Sequence, residues 1–290
     1  MLKIVDAPRS MLGEGPRWHA GEEALYWLDI YGQRLHRYLP ASGEATTIEF
    51  DDMVSAFAFM PGGGYVLAVK RGFALADAAM RVTRRLEPLV EDDTDIRFND
   101  GAADAAGRFW AGTMNPRREP ENYLYRLDRD GRAHVMESDI TVSNGIGWSP
   151  DNSVMYYVDT PTRCVYAYDF DAAHGTISHR RVFAGPPDHP GNPDGIAVDR
   201  EGGVWCAYWD GWRVVRYDAH GKVSEVIKVP VARPTACAFG GPDLRTLYIT
   251  TARVGIGTDM LGQQPDAGAL FAVQTSVAGL PPFDFAGLDG

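Results

Sequence analysis

One pattern recurs six times along this chain, and that recurrence restricts the fold more than any other feature. Small-residue or Asx-Gly corners, each ahead of an apolar run, stand at Glu14-Gly15, Ser55-Ala56, Asp100-Gly101, Asn144-Gly145, Asp194-Gly195 and Thr235-Ala236. Their second members are spaced by 41, 45, 44, 50 and 41 residues. Some ten residues after most corners comes a strand-like segment with an aromatic near its start: LYWLDI, RFWAGT, VMYYVDT, GVWCAYW and TLYITTA, with YVLAVK in the second unit. A further alternating segment then closes on a Gly turn, as in RLHRYLPASG, YLYRLDRDG and RVVRYDAHG, which is a hairpin pattern. Six such units predict an all-β fold: a six-bladed β-propeller of four-stranded antiparallel blades, with residues 1–290 as a single domain. The unit length excludes leucine-rich and tetratricopeptide repeats. Residues 74–89 are the one stretch compatible with a helix, and their strand-rich neighbours make strand the expectation. Residues near Lys3–Ala7 are expected to complete the last blade, because a ring must hide its edges. The Pro- and Gly-rich tail LPPFDFAGLDG is expected outside the regular sheet.

Composition narrows the partners. Lys and Arg number 28 against 39 Asp and Glu, a net charge of −11, and that field repels phosphate backbones and anionic lipid. Nucleic acid and membrane are therefore not expected as partners. The three cysteines show no metal-ligand spacing and are too few for a disulfide framework. The N-terminal residues carry no apolar leader pattern, and no apolar run approaches membrane-span length, so a cytoplasmic location is expected.

In a propeller the innermost strands line a central channel, so residues at their starts meet at one end of it. The corners there carry Glu14, Ser55, Asn99 with Asp100, Asn144, Asp194 and Thr235. Glu14, Asn144 and Asp194 together make a hard-oxygen set suited to one divalent cation. Ca²⁺, Mg²⁺ and Mn²⁺ fit it, and Zn²⁺ and Fe(II) also accept carboxylates. Three protein ligands would leave positions for water and substrate. The same residue types are ordinary turn formers, so a turn reading stands beside the metal reading. Ser55 has no histidine at an equivalent position, which argues against a Ser-His-Asp nucleophile. The seven histidines show no HxH or HExxH spacing and are expected mostly to face solvent. The tryptophans are expected to pack between blades, with Trp209 and Trp212 of YWDGW as candidates for the border of a sugar site.

The segments LGEGPRW (12–18), RFNDGAADAAGRFWAGTM (97–114), SNGIGWSPDNSVMYYVDT (143–160), PDGIAVDREGGVWCA (193–207) and GGPDLRTLYITTAR (240–253) resemble the motifs of the gluconolactonase, regucalcin and luciferin-regenerating-enzyme family. The resemblance runs in order along nearly the whole chain. It implies a six-bladed propeller that hydrolyses sugar lactones with one divalent cation at the channel mouth. The family's metal ligands are the Glu of GEGP, the Asn of SNG and the Asp of PDG, which are Glu14, Asn144 and Asp194 here. The Arg and Asn of its RxND motif contact substrate and correspond to Arg97 and Asn99. Bacterial aldonolactonases such as xylonolactonase and arabinolactonase are the members this chain most resembles. One position departs: where some members carry an acidic substrate contact three residues after the Met of AGTM, this chain has Arg117.

The implied reaction is hydrolysis of a pentonolactone or hexonolactone to the aldonic acid, with a small-molecule sugar lactone as partner. The cation would polarise the lactone carbonyl, and Asp194 is the candidate general base; activation of the water by the cation itself is the alternative. Arg97 and Asn99 would orient ring hydroxyls. Two other classes compete: a non-catalytic Ca²⁺-binding regulatory propeller, and a propeller hydrolase of phosphoesters or aryl esters. The presence of Arg97 and Asn99 beside the oxygen set favours the lactonase, since a bare calcium site has no need of them.

Overall fold

The computed structural model describes residues 1–91, 94–186 and 188–288. The chain opens with β1 (Lys3–Ile4), followed by β2 (Gly13–His19), β3 (Ala24–Asp29), β4 (Arg34–Leu39) and β5 (Glu44–Glu49). Next come β6 (Val54–Phe59), β7 (Tyr65–Val69), β8 (Gly72–Ala76) and β9 (Val82–Arg85), then β10 (Arg97–Ala103), β11 (Phe109–Met114), β12 (Asn122–Leu127) and β13 (Ala133–Ile140). The series continues with β14 (Ser143–Trp148), β15 (Val154–Asp159), β16 (Cys164–Asp171) and β17 (Thr176–Ala184), then β18 (Asn192–Val198), β19 (Val204–Trp209), β20 (Arg213–Tyr217) and β21 (Val223–Lys228). It ends with β22 (Pro234–Gly240), β23 (Thr246–Thr251), the short helix α1 (Thr258–Gln263) and β24 (Phe271–Gln274).

These strands form six four-stranded antiparallel sheets, the blades of a six-bladed β-propeller, as the repeat predicts. Five blades run in chain order. The sixth runs β1-β24-β23-β22, with Lys3 opposite Ala272 and Ile4 opposite Phe271, so the N-terminal strand completes the last blade as expected. The helix-compatible stretch forms β8 and β9. By contact the chain divides into two compact units: Met1–Asp51 with Ala184–Pro281, and Asp52–Phe183 with the segment from Pro282. Residues 282–288 of the tail lie outside the sheets but belong to the second unit, where Phe285 is fully buried and its amide donates to the Phe59 carbonyl at 2.8 Å.

Burial follows strand order. β3, β6 and β7 are buried on both faces, while β5, β9 and most of β21 are exposed. The exposed strands carry charged side chains such as Arg84, Arg85 and Glu225, which blunt an open edge against further pairing. Tryptophans pack between blades within each unit, as expected: Trp110 meets Trp148 edge-on at 6.2 Å, and Trp18 stacks on Tyr248 at 6.3 Å. Two of them are held by fully buried aspartates. Asp104 accepts from Trp110 Nε1 (2.8 Å) and Arg108 Nε (2.7 Å), and Asp199 accepts from Trp205 Nε1 and Arg216 Nε (2.8 Å each). Each aspartate also caps its own turn, through the Ala106 and Arg108 amides in one case and those of Glu201 and Gly203 in the other. The repeated D-x-x-G turn before an aromatic strand is thus a clasp between turn, indole and guanidinium.

The innermost strands share one irregularity. In every blade this strand carries one residue more than its partner: between Glu14 and Arg17, Val54 and Ala56, Phe98 and Gly101, Ser143 and Ile146, Pro193 and Ile196, and Pro234 and Ala236. The six corners of the sequence repeat sit in these six bulges. A bulge breaks the side-chain alternation and re-aims the residue it carries. The small residue at the corner is required by close strand approach. A Cβ on Gly101 would lie 2.6 Å from the Trp110 carbonyl oxygen and 3.1 Å from the Ala56 Cβ, and one on Gly195 would lie 2.5 Å from the Ala236 Cβ.

One histidine departs from expectation. His36 is 1% exposed, its ring tilted against Trp27 with centroids 5.0 Å apart, and its Nδ1 2.8 Å from Thr47 Oγ1. Burial lowers its pKa to about 4, because the low-dielectric surroundings penalise the charged ring.

Two outcomes are expected. Gly195→Ala lowers unfolding free energy by about 1–3 kcal/mol in urea, because the added methyl overpacks β18 against β22. For His36, the folded pKa lies below the unfolded value. Its contribution is therefore complete above the unfolded pKa and is lost as pH falls from about 6.5 towards 4, by up to roughly 3 kcal/mol. Thermal midpoints of wild type should fall between pH 6.5 and 5, and His36→Gln should flatten that part of the profile.

Candidate active site

In the second unit, β10 and β14 bury three predicted residues: Arg97 and Asn99 share one network, which reaches Ser143, the neighbour of Asn144. Arg97, Asn99 and Asn144 are 8%, 7% and 4% exposed. Arg97 Nη1 donates to Asn99 Oδ1 at 2.8 Å and to the Phe98 carbonyl at 2.9 Å. Asn99 Nδ2 donates to the Ser143 carbonyl at 2.8 Å, tying the bulge of β10 to that of β14. Asn144, the next residue, donates from Nδ2 to Thr160 Oγ1 at 2.9 Å. Its Oδ1 is buried and accepts no hydrogen bond among the described residues. The Ser143 hydroxyl receives Tyr157 OH at 2.8 Å and lies where a Cβ on Gly112 would fall, so residue 112 admits no side chain. The Asp100 side chain closes on its own loop, with Oδ1 accepting the Gly101 amide at 2.7 Å.

In the first unit, Glu14 and Asp194 sit in the bulges of β2 and β18, 6% and 3% exposed. β22 packs against both strands: Thr235 Oγ1 donates to the Gly13 carbonyl, and Ala236 faces Gly195. Behind Asp194 lies Cys206. Burial, reinforced by the negative charge of Asp194, pushes that thiol up to about 12, against a hydrogen bond from the Asp194 backbone. It is a protonated, fully buried wall of the strand pair. All three cysteines are buried, and none forms a disulfide.

Two aspartates that sequence reasoning passed over set the approach to these bulges. Asp29, at the end of β3, accepts the Met11 (2.9 Å), Leu12 (3.0 Å) and Gly32 (3.0 Å) amides. Asp159, at the end of β15, accepts the Val142 amide at 2.9 Å and the Thr141 amide at 3.2 Å. Burial raises the Asp159 pKa, and these backbone donors oppose the rise. Each aspartate grips the chain two or three residues ahead of a site residue, Glu14 or Asn144. The signal was present in the matching strand ends LDI and VDT. Thr160, also unassigned by sequence, follows Asp159 in a 3₁₀ turn, Thr160–Thr162.

The predicted departure at Arg117 falls in a braced loop. Met114, opposite Arg97 and bridged to Val142, leads into it. Fully buried Asn115 and Asn122 both bond the Glu119 backbone, and Arg117 is paired with Glu119 at 2.6 Å and Glu121 at 2.9 Å. In the first unit, Trp209 takes the Arg233 guanidinium 4.5 Å over its ring, while Trp212 is 38% exposed. Among the described residues no group of three or more His, Cys, Asp or Glu side chains is placed to hold a metal; the predicted set includes an amide. No helix among the described residues is long and apolar enough to cross a membrane.

Residues 12–253 match the family model described as SMP-30/Gluconolactonase/LRE-like region. The chain belongs to this family. It is 41% identical over 289 residues to a 6-deoxy-6-sulfogluconolactonase of Pseudomonas putida, covering 99% of both chains. A pentonolactonase of Haloferax volcanii is 38% identical, with 98% of this chain and 97% of that protein covered. Among solved structures, a luciferin-regenerating enzyme superposes with a TM-score of 0.92 at 28% identity over 99% of both chains. A regucalcin of Agrobacterium tumefaciens, described as a calcium-binding protein, gives 0.90 at 29% identity over 98% of this chain and 96% of that one.

The network itself can be tested by stability. Asn99→Ala strips a buried donor from the Ser143 carbonyl and an acceptor from Arg97, and urea unfolding should show a loss of about 1–3 kcal/mol. Asn99→Asp keeps the acceptor for Arg97 and should lose less.

Proposed function

We propose that this protein is a metal-dependent sugar lactonase that opens the ring ester of a pentonolactone or hexonolactone to give the aldonic acid. The observation that carries the reading is the buried Arg97–Asn99–Ser143 network on two strand bulges, next to Asn144, in a chain whose near-full-length relatives include proteins named as lactonases, which are carboxylic ester hydrolases. The residues suit a divalent cation. Asn144 turns its nitrogen onto Thr160 and leaves Oδ1, a buried acceptor, with no donor from the described chain. Glu14 and Asp194 add buried carboxylates, and the three make a hard-oxygen set that Ca²⁺, Mg²⁺, Mn²⁺, Zn²⁺ or Fe(II) accepts. A cation bound there supplies Lewis-acid polarisation of the lactone carbonyl.

The chain's own residues do the rest. Asp194 takes a proton from the attacking water as its oxygen bonds to the carbonyl carbon, and returns it to the ring oxygen when the C–O bond breaks. Arg97 offers planar donors to ring oxygens, and Asn99 fixes the guanidinium from below. The aldonic acid product ionises at neutral pH, so turnover releases one proton.

The test is acid release in weak buffer by chelator-stripped protein, with each cation restored in turn. The substrates are xylono-, arabinono-, glucono- and galactonolactone and a 6-sulfonated gluconolactone, with spontaneous hydrolysis subtracted. Cation-dependent turnover on at least one lactone is expected, and Asp194→Ala should reduce kcat by about 10²- to 10⁴-fold or more. No turnover by folded protein with any cation contradicts the proposal, and an Asp194→Ala variant that keeps most of the rate removes Asp194 from the chemistry.

A further inference from the structure

We infer that Thr160 is a positioning residue that anchors the Asn144 amide by its nitrogen with the oxygen held towards the cation; this rests on the metal reading of Asn144 above. A carboxamide has two ends of similar shape and opposite polarity. With the oxygen forward it can ligate a cation; with the nitrogen forward it repels one. A hydroxyl behind the amide can accept from its nitrogen or donate to its oxygen; here it accepts from the nitrogen, and that leaves the oxygen forward.

Here the rear partner is Thr160 Oγ1, 2.9 Å from Asn144 Nδ2. Thr160 is 9% exposed and Asn144 4%, so water is a poor substitute for that bond. The hydroxyl is itself fixed by the chain. Thr160 opens the 3₁₀ turn Thr160–Thr162, whose Pro161 restricts the backbone. Its amide donates to the Val142 carbonyl at 3.1 Å, and the Arg163 amide returns to the Thr160 carbonyl at 3.0 Å. The preceding residue, Asp159, holds the amides of Thr141 and Val142. One turn therefore grips both the strand entering the bulge and the side chain leaving it. Ligands to metals are commonly oriented this way by an outer partner, and its loss weakens metal affinity by about 10- to 100-fold.

Thr160→Val keeps the shape and removes the hydroxyl, so the amide nitrogen loses this partner and the side chain its anchor. Thr160→Ser restores the hydroxyl. The test is calorimetric titration of Mn²⁺ and of Ca²⁺ into chelator-stripped protein, with circular dichroism melts for every variant. Thr160→Val is expected to weaken binding at least about tenfold and Thr160→Ser to stay within about threefold of wild type. Should the valine variant not fold, Thr160→Ala makes the same deletion with less bulk at the turn. Wild-type affinity in the folded Val or Ala variant overturns the inference, provided Asn144→Ala binds weakly. If Asn144→Ala also binds like wild type, or wild type binds neither ion, the metal reading of Asn144 falls first and takes this inference with it.

Discussion

The rest of the structure depends on the extra residue in each innermost strand. A regular strand alternates its side chains, so a polar residue at a corner would be committed to one packed face or the other. The bulge releases one position per blade from that alternation, six times, at the spacing of the repeat. The price is a stretch where neighbouring inner strands come too close for a side chain, which is why Gly101 and Gly195 face Ala56 and Ala236. Fold and site therefore share one device: the small residue lets the strands approach, and the polar residue beside it is the one set free.

Polarity is then managed locally. Blades whose second strand ends in aspartate, β3 and β15, use that carboxylate to fix the backbone entering the bulge. The guanidinium, amide and carbonyl of Arg97, Asn99 and Ser143 satisfy one another with little help from solvent, and a connected buried network of this kind is rigid when complete. Rigidity matters under the proposed lactonase reading, in which the site holds a lactone carbonyl and a water in register, because a small displacement of either costs much of the rate. The clasps at Asp104 and Asp199 serve the scaffold, where each ties an indole and a guanidinium to one turn.

Much of this was legible in the sequence because it rests on local chemistry repeated in register. Corners, aromatic strands and Gly turns recur, so blade number, strand content and the use of Lys3–Ile4 in the last blade could be read directly. The candidate residues Glu14, Asn99, Asn144 and Asp194 stand at those corners, and Arg97 came only with the RxND motif of the family resemblance. What could not be read was pairwise. That Asn99 reaches the Ser143 carbonyl, 44 residues away, is a property of two bulges facing each other. Thr160 looked like a strand-end residue, and its role appears only with the Asn144 amide beside it. His36 looked solvent-facing because its strand alternates, yet the Trp27 ring and the Thr47 hydroxyl enclose it. Arg117 stands where some family members carry an acidic substrate contact, and the structure gives it two carboxylate partners in its own loop.

The central proposal is that Glu14, Asn144 and Asp194 bind a divalent cation. Anomalous diffraction from crystals soaked in Mn²⁺ tests it most directly. The account predicts one strong peak within coordination distance of Glu14 and Asp194 carboxylate oxygens and of Asn144 Oδ1, lost in Asn144→Ala crystals. A peak bounded by other residues, or none at saturating Mn²⁺, would contradict it.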